Sequence, residues 1–202
     1  VYILPWLIGM VFLTLYPFIN ALVISFTDYN LVREPNFIGL ANYTKLFQDE
    51  DFLGTLTATL KYTVITVPLQ LAFALFIAYI LNFKLKGINF FRTAYYIPSL
   101  LGGNVAVAVL WRFLFQQDGL INRIIGVVGI QPVAWLSSPG GAMSVIIILK
   151  VWQFGSAMLI FLAALKDVPQ DLYEAASVDG STKLHSFIHI TMPLITPTIF
   201  FN

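Results

Sequence analysis

The side chains of this chain that could do chemistry are few, and most stand alone. His185 and His189 are four residues apart, the spacing at which two imidazoles on one helical face bind zinc. Residue 186 is Ser186, not the glutamate such a helix carries as general base, and no third ligand lies nearby in sequence. The spacing therefore reads as two solvated histidines, with no metal. The chain has no cysteine, which removes disulfides, thiolate metal sites and cysteine nucleophiles. It has no G-x-x-x-x-G-K-[ST] loop to cradle a phosphate, and no acid pair, nucleophile–base arrangement, or flavin or nicotinamide signature. These residues do not support an enzyme or a resident cofactor.

What does stand out is polarity in apolar surroundings. Lys150 interrupts an otherwise uncharged stretch from Gly141 to Leu165, and at ~1.5 Å per residue it lies about 13 Å along a helix, near the middle of a bilayer. A lysine at that depth is costly, and the default reading is functional; the alternative is a head group that snorkels outward. Gln153 falls on the same helical face and Phe154 follows at i+4, so ammonium, amide and ring are expected to converge. Such a trio could line a path for a hydroxylated solute. Pro98, Ser99, Gly102, Gly103 and Asn104 form a second cluster, one that weakens a helix. A broken helix is tolerated at depth where the freed backbone is buried in protein or lines a cavity. Asn104 is therefore a candidate path or hinge residue, against the reading of close packing through small residues. Pro68 and Gln70 carry the same two readings.

The elements that must position these groups follow from composition. Of 202 residues, 58% are apolar and 10% charged, with mean hydropathy +0.83 and net charge +1. Soluble domains carry about 25% charged residues, so this chain could not cover its own surface in water. Near-zero net charge removes an electrostatic case for nucleic acid. The charges are segregated: Val1–Thr27, Tyr62–Phe83 and Thr93–Trp111 have none, and a fifth apolar run starts near Ile190. About 20 apolar residues span the hydrocarbon core. The expectation is an all-α, polytopic transmembrane helical bundle, a fragment with four full spans and the start of a fifth. The 82–92 and 166–190 loops carry Lys84, Lys86, Arg92, Lys166 and Lys183 at higher density than the 28–54 and 112–140 loops carry basic residues. By the positive-inside bias the first pair faces the cytoplasm.

The loop after the fourth span carries the most information. Pro169 suits the first turn of a helix, with Asp171 and Glu174 near its positive end and Gly180 at the left-handed position that ends it. Ser181 is expected to cap a second short helix from Thr182 to about Ile190, and Pro193 to break the chain before the fifth span. Leu172, Ala175, Ala176 and Asp179 share one face. That face is small and weakly apolar, unlike a lipid-binding one, and suits close approach of another protein; the alternative is an ordinary connecting hairpin.

Glu174-Ala175-Ala176, Asp179-Gly180, Ile190 and Pro193 resemble the EAA loop of binding-protein-dependent ABC importer permeases, in their carbohydrate-uptake branch. Phe37–Tyr43 with Leu46-Phe47, Phe91–Pro98, Trp111–Phe115 and Gly119–Asn122 resemble other parts of that branch in the same order. Ser181 departs from the usual alanine. The resemblance implies a type I ABC importer permease-like fold, with 1–54 as first span plus extracytoplasmic loop and 55–202 as permease domain, truncated at its C-terminus, with the coupling loop at 166–193. It implies that Glu174, Ala175, Ala176, Asp179 and Gly180 dock on a separate ATPase subunit that binds ATP. The other implied partners are a second permease subunit, an extracytoplasmic substrate-binding protein, a sugar and membrane lipid, in the multi-pass cell membrane of a prokaryote. The competing expectations are an ion-gradient-driven secondary transporter, which the lack of Asp and Glu in the spans disfavours, and a structural membrane subunit.

Overall fold

The computed structural model describes residues 2–83 and 87–202; Lys84 and Lys86, part of the charge bias above, lie outside the described residues. The fold is all-α, with an isolated bridge between Thr27 and Phe37 and no strand among the described residues. Among the described residues three helices are long and apolar enough to cross a membrane, or up to five if each bent pair counts as one span. The chain divides into two compact units, Val1–Leu60 and Lys61–Asn202.

In the first unit, α1 (Leu4–Ile24) is uncharged throughout, and none of its residues is buried. It contains a π turn at Val11–Leu15, where the Tyr16 N–H reaches back to the Val11 carbonyl. The wider turn stands just before Pro17, whose ring would clash with a carbonyl of a regular turn and whose missing N–H would leave one unpaired. Beyond α1 the chain is tied by polar side chains. Asn42 donates to the carbonyls of Ser25 (2.9 Å) and Thr27 (2.8 Å), and the Tyr43 hydroxyl bonds the Ser25 hydroxyl at 2.7 Å. Asp28 accepts from the Asn36 backbone N–H at 2.6 Å and from its amide at 3.3 Å. These two bonds hold the Asp28 carboxyl below its usual pKa. The contact thus favours the folded loop above the ordinary carboxylate range, and that contribution fades as pH falls through the depressed value. A short helix α2 (Ala41–Leu46) follows. Asp49 then caps α3 (Glu50–Asn82) by accepting from the N–H groups of Asp51 and Phe52.

In the second unit, α3 continues through Pro68 without a break. Next come α4 (Ile88–Leu101) and α5 (Val105–Leu114), which meet at a bend of 100°, so the third apolar stretch is not one straight helix. Helix α6 (Leu120–Val127) precedes α7 (Pro139–Trp152) and α8 (Gly155–Asp167), which meet at 43°. Helices α9 (Gln170–Val178) and α10 (Lys183–Phe201) complete the chain. Ala74, Ala78 and Leu81 of α3 pack on Met158, Phe161, Leu162 and Leu165 of α8 and on Ile195 of α10. Between helices in lipid there is little hydrophobic driving force, so contact depends on close fit. Two fully buried alanines one turn apart give α3 the flat face that lets Met158 and Phe161 approach.

Two expectations about the last segment are corrected. The cap of the helix after the hairpin is Thr182, whose hydroxyl accepts from the His185 N–H at 3.3 Å, and not Ser181. Pro193 does not break the chain, because α10 runs unbroken from Lys183 to Phe201. A second π turn, Phe187–Thr191, ends two residues before it, with the Met192 N–H bonded to the Phe187 carbonyl. The apolar run that starts near Ile190 is thus the later part of a helix already under way.

Candidate functional site

The hairpin between α8 and α10 is built by backbone chemistry. Pro169 is extended and α9 begins at Gln170, one residue later than expected from the proline. At the other end Gly180 has φ +75°, a conformation that costs glycine nothing and other residues a Cβ clash. Its N–H bonds the Ser177 carbonyl at 3.1 Å, and the Ser181 N–H bonds the Ala176 carbonyl at 2.9 Å. This paired closure satisfies the carbonyls a helix end leaves open. The Tyr173 hydroxyl meets the Thr191 hydroxyl at 2.6 Å and anchors the inner side of α9 on α10. With Tyr173 turned inward, Leu172, Glu174, Ala175, Val178, Asp179 and Gly180 are exposed and Ala176 is half-buried. Val178 is 89% exposed. Small, apolar and acidic groups therefore share one outward rim. Beside it lies an open cleft of about 480 Å³, bordered by Asp179, Ser181, Thr182, His185 and His189. The two imidazoles stack with centroids 3.9 Å apart, and His189 Nδ1 lies 3.0 Å from the His185 carbonyl. Among the described residues no third His, Asp or Glu joins them as a metal-binding group.

At the other candidate site the expected convergence does not occur. The helix bends by 43° at Gln153 and Phe154, and Lys150, Gln153 and Phe154 are set in different surroundings. Lys150 is exposed, while Phe154 is buried between the rings of Phe73 (4.8 Å) and Tyr95 (5.9 Å). The Gln153 amide donates to the Gly102 carbonyl at 3.3 Å, which lies in the break between α4 and α5. The Gln153 carbonyl, left free by the bend, accepts from the Ser99 hydroxyl at 3.0 Å and the Gln70 amide at 3.3 Å. The Ser99 hydroxyl in turn accepts from the Ser156 N–H at 3.2 Å. The two helix breaks thus cross and satisfy each other's backbone, as non-helical backbone at depth must. Asn104, extended, caps α5 by accepting from the Ala106 N–H at 3.1 Å. Sequence reasoning found each weak point but not that Gln153 joins them. A bend that changes a side chain's surroundings leaves no mark in the residue spacing.

A third feature was named in the sequence only as the end of the Gly119–Asn122 resemblance. Asn122 is 4% exposed. Its amide donates to the carbonyls of Gln116, Gln117 and Val133, and its oxygen accepts from the Val133 N–H and the Trp135 indole N–H at 3.1 and 2.9 Å. Trp135 packs edge-on against Phe115, which meets Trp111, which meets Trp152. One asparagine thus closes the 116–135 loop onto a ladder of rings. The signal was an amide beside Arg123 in the otherwise apolar helix α6, which no local spacing explains.

Residues 70–202 match the family model of the binding-protein-dependent transport system inner membrane component. Along its whole length the chain is 48% identical to the probable ABC transporter permease protein YesP of Bacillus subtilis (strain 168), covering 66% of that protein. It is 34% identical over 98% of its length to the trehalose/maltose transport system permease protein MalF of Thermococcus litoralis, covering 68% of it. Among solved structures it is similar to a bacterial ABC transporter involved in the import of the acidic polysaccharide alginate. There the TM-score is 0.82 and the identity 26%, over 98% of this chain and 68% of the other. A second structure of the alginate transporter, in complex with an alginate pentasaccharide-bound periplasmic protein, matches with TM-score 0.83. The chain spans about two thirds of the length of the curated relatives it matches.

Proposed function

The chain belongs to the family of binding-protein-dependent transport system inner membrane components, and from that premise we propose that it is the membrane-spanning permease subunit of an ATP-driven sugar importer. The observation that carries the reading is the hairpin: a short helix anchored from inside by Tyr173, ended by Gly180, with Glu174, Ala175 and Asp179 on an outward rim. Such a rim can pass motion between a moving partner and α10, because the anchor ties α9 to the helix that follows it. The partner is a cytoplasmic ATPase that binds ATP, with Glu174 as charged contact and the two alanines as close-packing ones. The relatives named as permeases for trehalose/maltose and for starch degradation products favour a carbohydrate. The structure with a periplasmic protein bound favours delivery by a binding protein. A second permease subunit completes the path, in a multi-pass arrangement with the hairpin on the cytoplasmic side.

Within the chain, Lys150 is the exposed polar candidate along that path. Gln153, Phe154 and Asn104 hold the broken helices that would rearrange as access alternates. The test is uptake by the assembled complex in proteoliposomes. Accumulation of an oligosaccharide that requires both ATP and binding protein is the expected result. Uptake driven by an ion gradient alone would overturn the reading.

A further inference from the structure

The ends of α3 and α8 and the starts of α4 and α9 enclose a cleft of about 620 Å³. Among the described residues two cations line it, Arg92 and Lys166, with the amides of Asn82 and Gln170, and no carboxylate does. Arg92 is only partly used: one terminal nitrogen donates to the Leu81 carbonyl at 3.2 Å and the other to the Asn89 amide oxygen at 3.4 Å. Its Nε is buried and has no hydrogen-bond partner among the described residues. Each terminal nitrogen keeps a second N–H that these bonds do not use. The same cleft is walled by Ile88, Leu165 and Val168. A hydrated free anion gains nothing from that wall. A molecule with a phosphate joined to hydrocarbon uses both halves.

We infer that this cleft binds the phosphate headgroup of an anionic membrane lipid. The Arg92 guanidinium is the forked donor, Lys166 the point charge beside it, and the acyl chain lies along the apolar wall. Basic pockets between membrane helices at the cytoplasmic boundary are suited to this chemistry. The site rests on the membrane-spanning reading above and on the cytoplasmic placement of the α3–α4 and α8–α9 connections. It would fix the root of the hairpin to the lipid surface, because Lys166 lies in the last turn of α8 and Gln170 begins α9.

The test is native mass spectrometry of the full permease complex in mild detergent, titrated with phosphatidylglycerol and, separately, phosphatidylcholine. Wild type should retain phosphatidylglycerol selectively. Lys166→Gln, at an exposed head group the fold does not need, should weaken that binding about fivefold, the effect of roughly one basic side chain at an anionic surface. Adding Arg92→Gln should bring the loss to about 25-fold if the charges act independently. Lys45→Gln, in the first unit, should change nothing. Equal retention of the two lipids, or Lys166→Gln binding like wild type, overturns the site. Displacement by millimolar inorganic phosphate overturns the lipid assignment in favour of a free anion. Uptake measured after the same proteins are reconstituted in proteoliposomes keeps the two readings apart: selective lipid binding without ATP-dependent transport would remove the importer reading and leave this site in place.

Discussion

Gly102 and Gly155 lie on either side of the same crossing, yet a methyl group meets different obstacles at each. At Gly102 a Cβ would fall 2.2–2.6 Å from the amide end of Gln153, a flexible terminus that can swing away. At Gly155 it would fall 2.5 Å from the Tyr95 carbonyl oxygen and 2.7 Å from the Tyr96 Cα, which are backbone and cannot yield. Gly102→Ala should therefore cost about one hydrogen bond, ~0.6 kcal/mol within a membrane, whereas Gly155→Ala should cost about 1–3 kcal/mol through overpacking. Thermal unfolding of the purified permease in detergent ranks the two, and equal losses would refute the Gln153 bridge. Asn122→Ala should cost about 3 kcal/mol, since it strands the Trp135 indole and Val133 N–H groups. Asn122→Asp should be no better, because it turns a donor toward three carbonyls into a fourth acceptor. A tryptophan emission shift on mild heating would report the loop opening.

At the scale of the element, the hairpin separates conformational from contact roles. Nothing lies within 4 Å of a Cβ at Gly180, so only its positive φ restricts substitution. Gly180→Asn, which tolerates that region, should keep most transport. Gly180→Pro should abolish it, because the ring forbids positive φ and removes the N–H bonded to Ser177. Glu174→Lys should lower co-purification of the ATPase without loss of membrane insertion, and wild-type uptake in that variant would show that the rim is not the docking surface. The hairpin was legible because turns and caps are written in local residue types: Gly180 ends its helix as the sequence indicated. The cap at Thr182 was misassigned by one position because both hydroxyls are competent, and the choice falls to the Ser181 N–H, already committed to closing the previous helix.

For the whole molecule, the helical class and apolar segments were legible from charge segregation alone, since length and composition decide what a bilayer accepts. The crossing of the two broken helices was not, because it joins Gln70, Ser99, Gly102 and Gln153 across more than 80 positions of chain. The first and last helices share a device that local rules also missed. Each has a π turn that ends two residues before a proline, at Val11–Leu15 with Pro17 and at Phe187–Thr191 with Pro193. A π turn holds one residue beyond the regular count, so each acts as a removable spacer whose value depends on its neighbour. Deleting Ile188 alone should close the turn to a regular one and leave Ile195 in phase with the core, at the cost of the carbonyl clash that Pro193 then brings, whereas deleting it together with Pro193→Ala should remove that cost. Length in this turn is therefore tied to its proline: a single-codon deletion inside Phe187–Thr191 should be tolerated where Pro193 is replaced as well and not where it is kept.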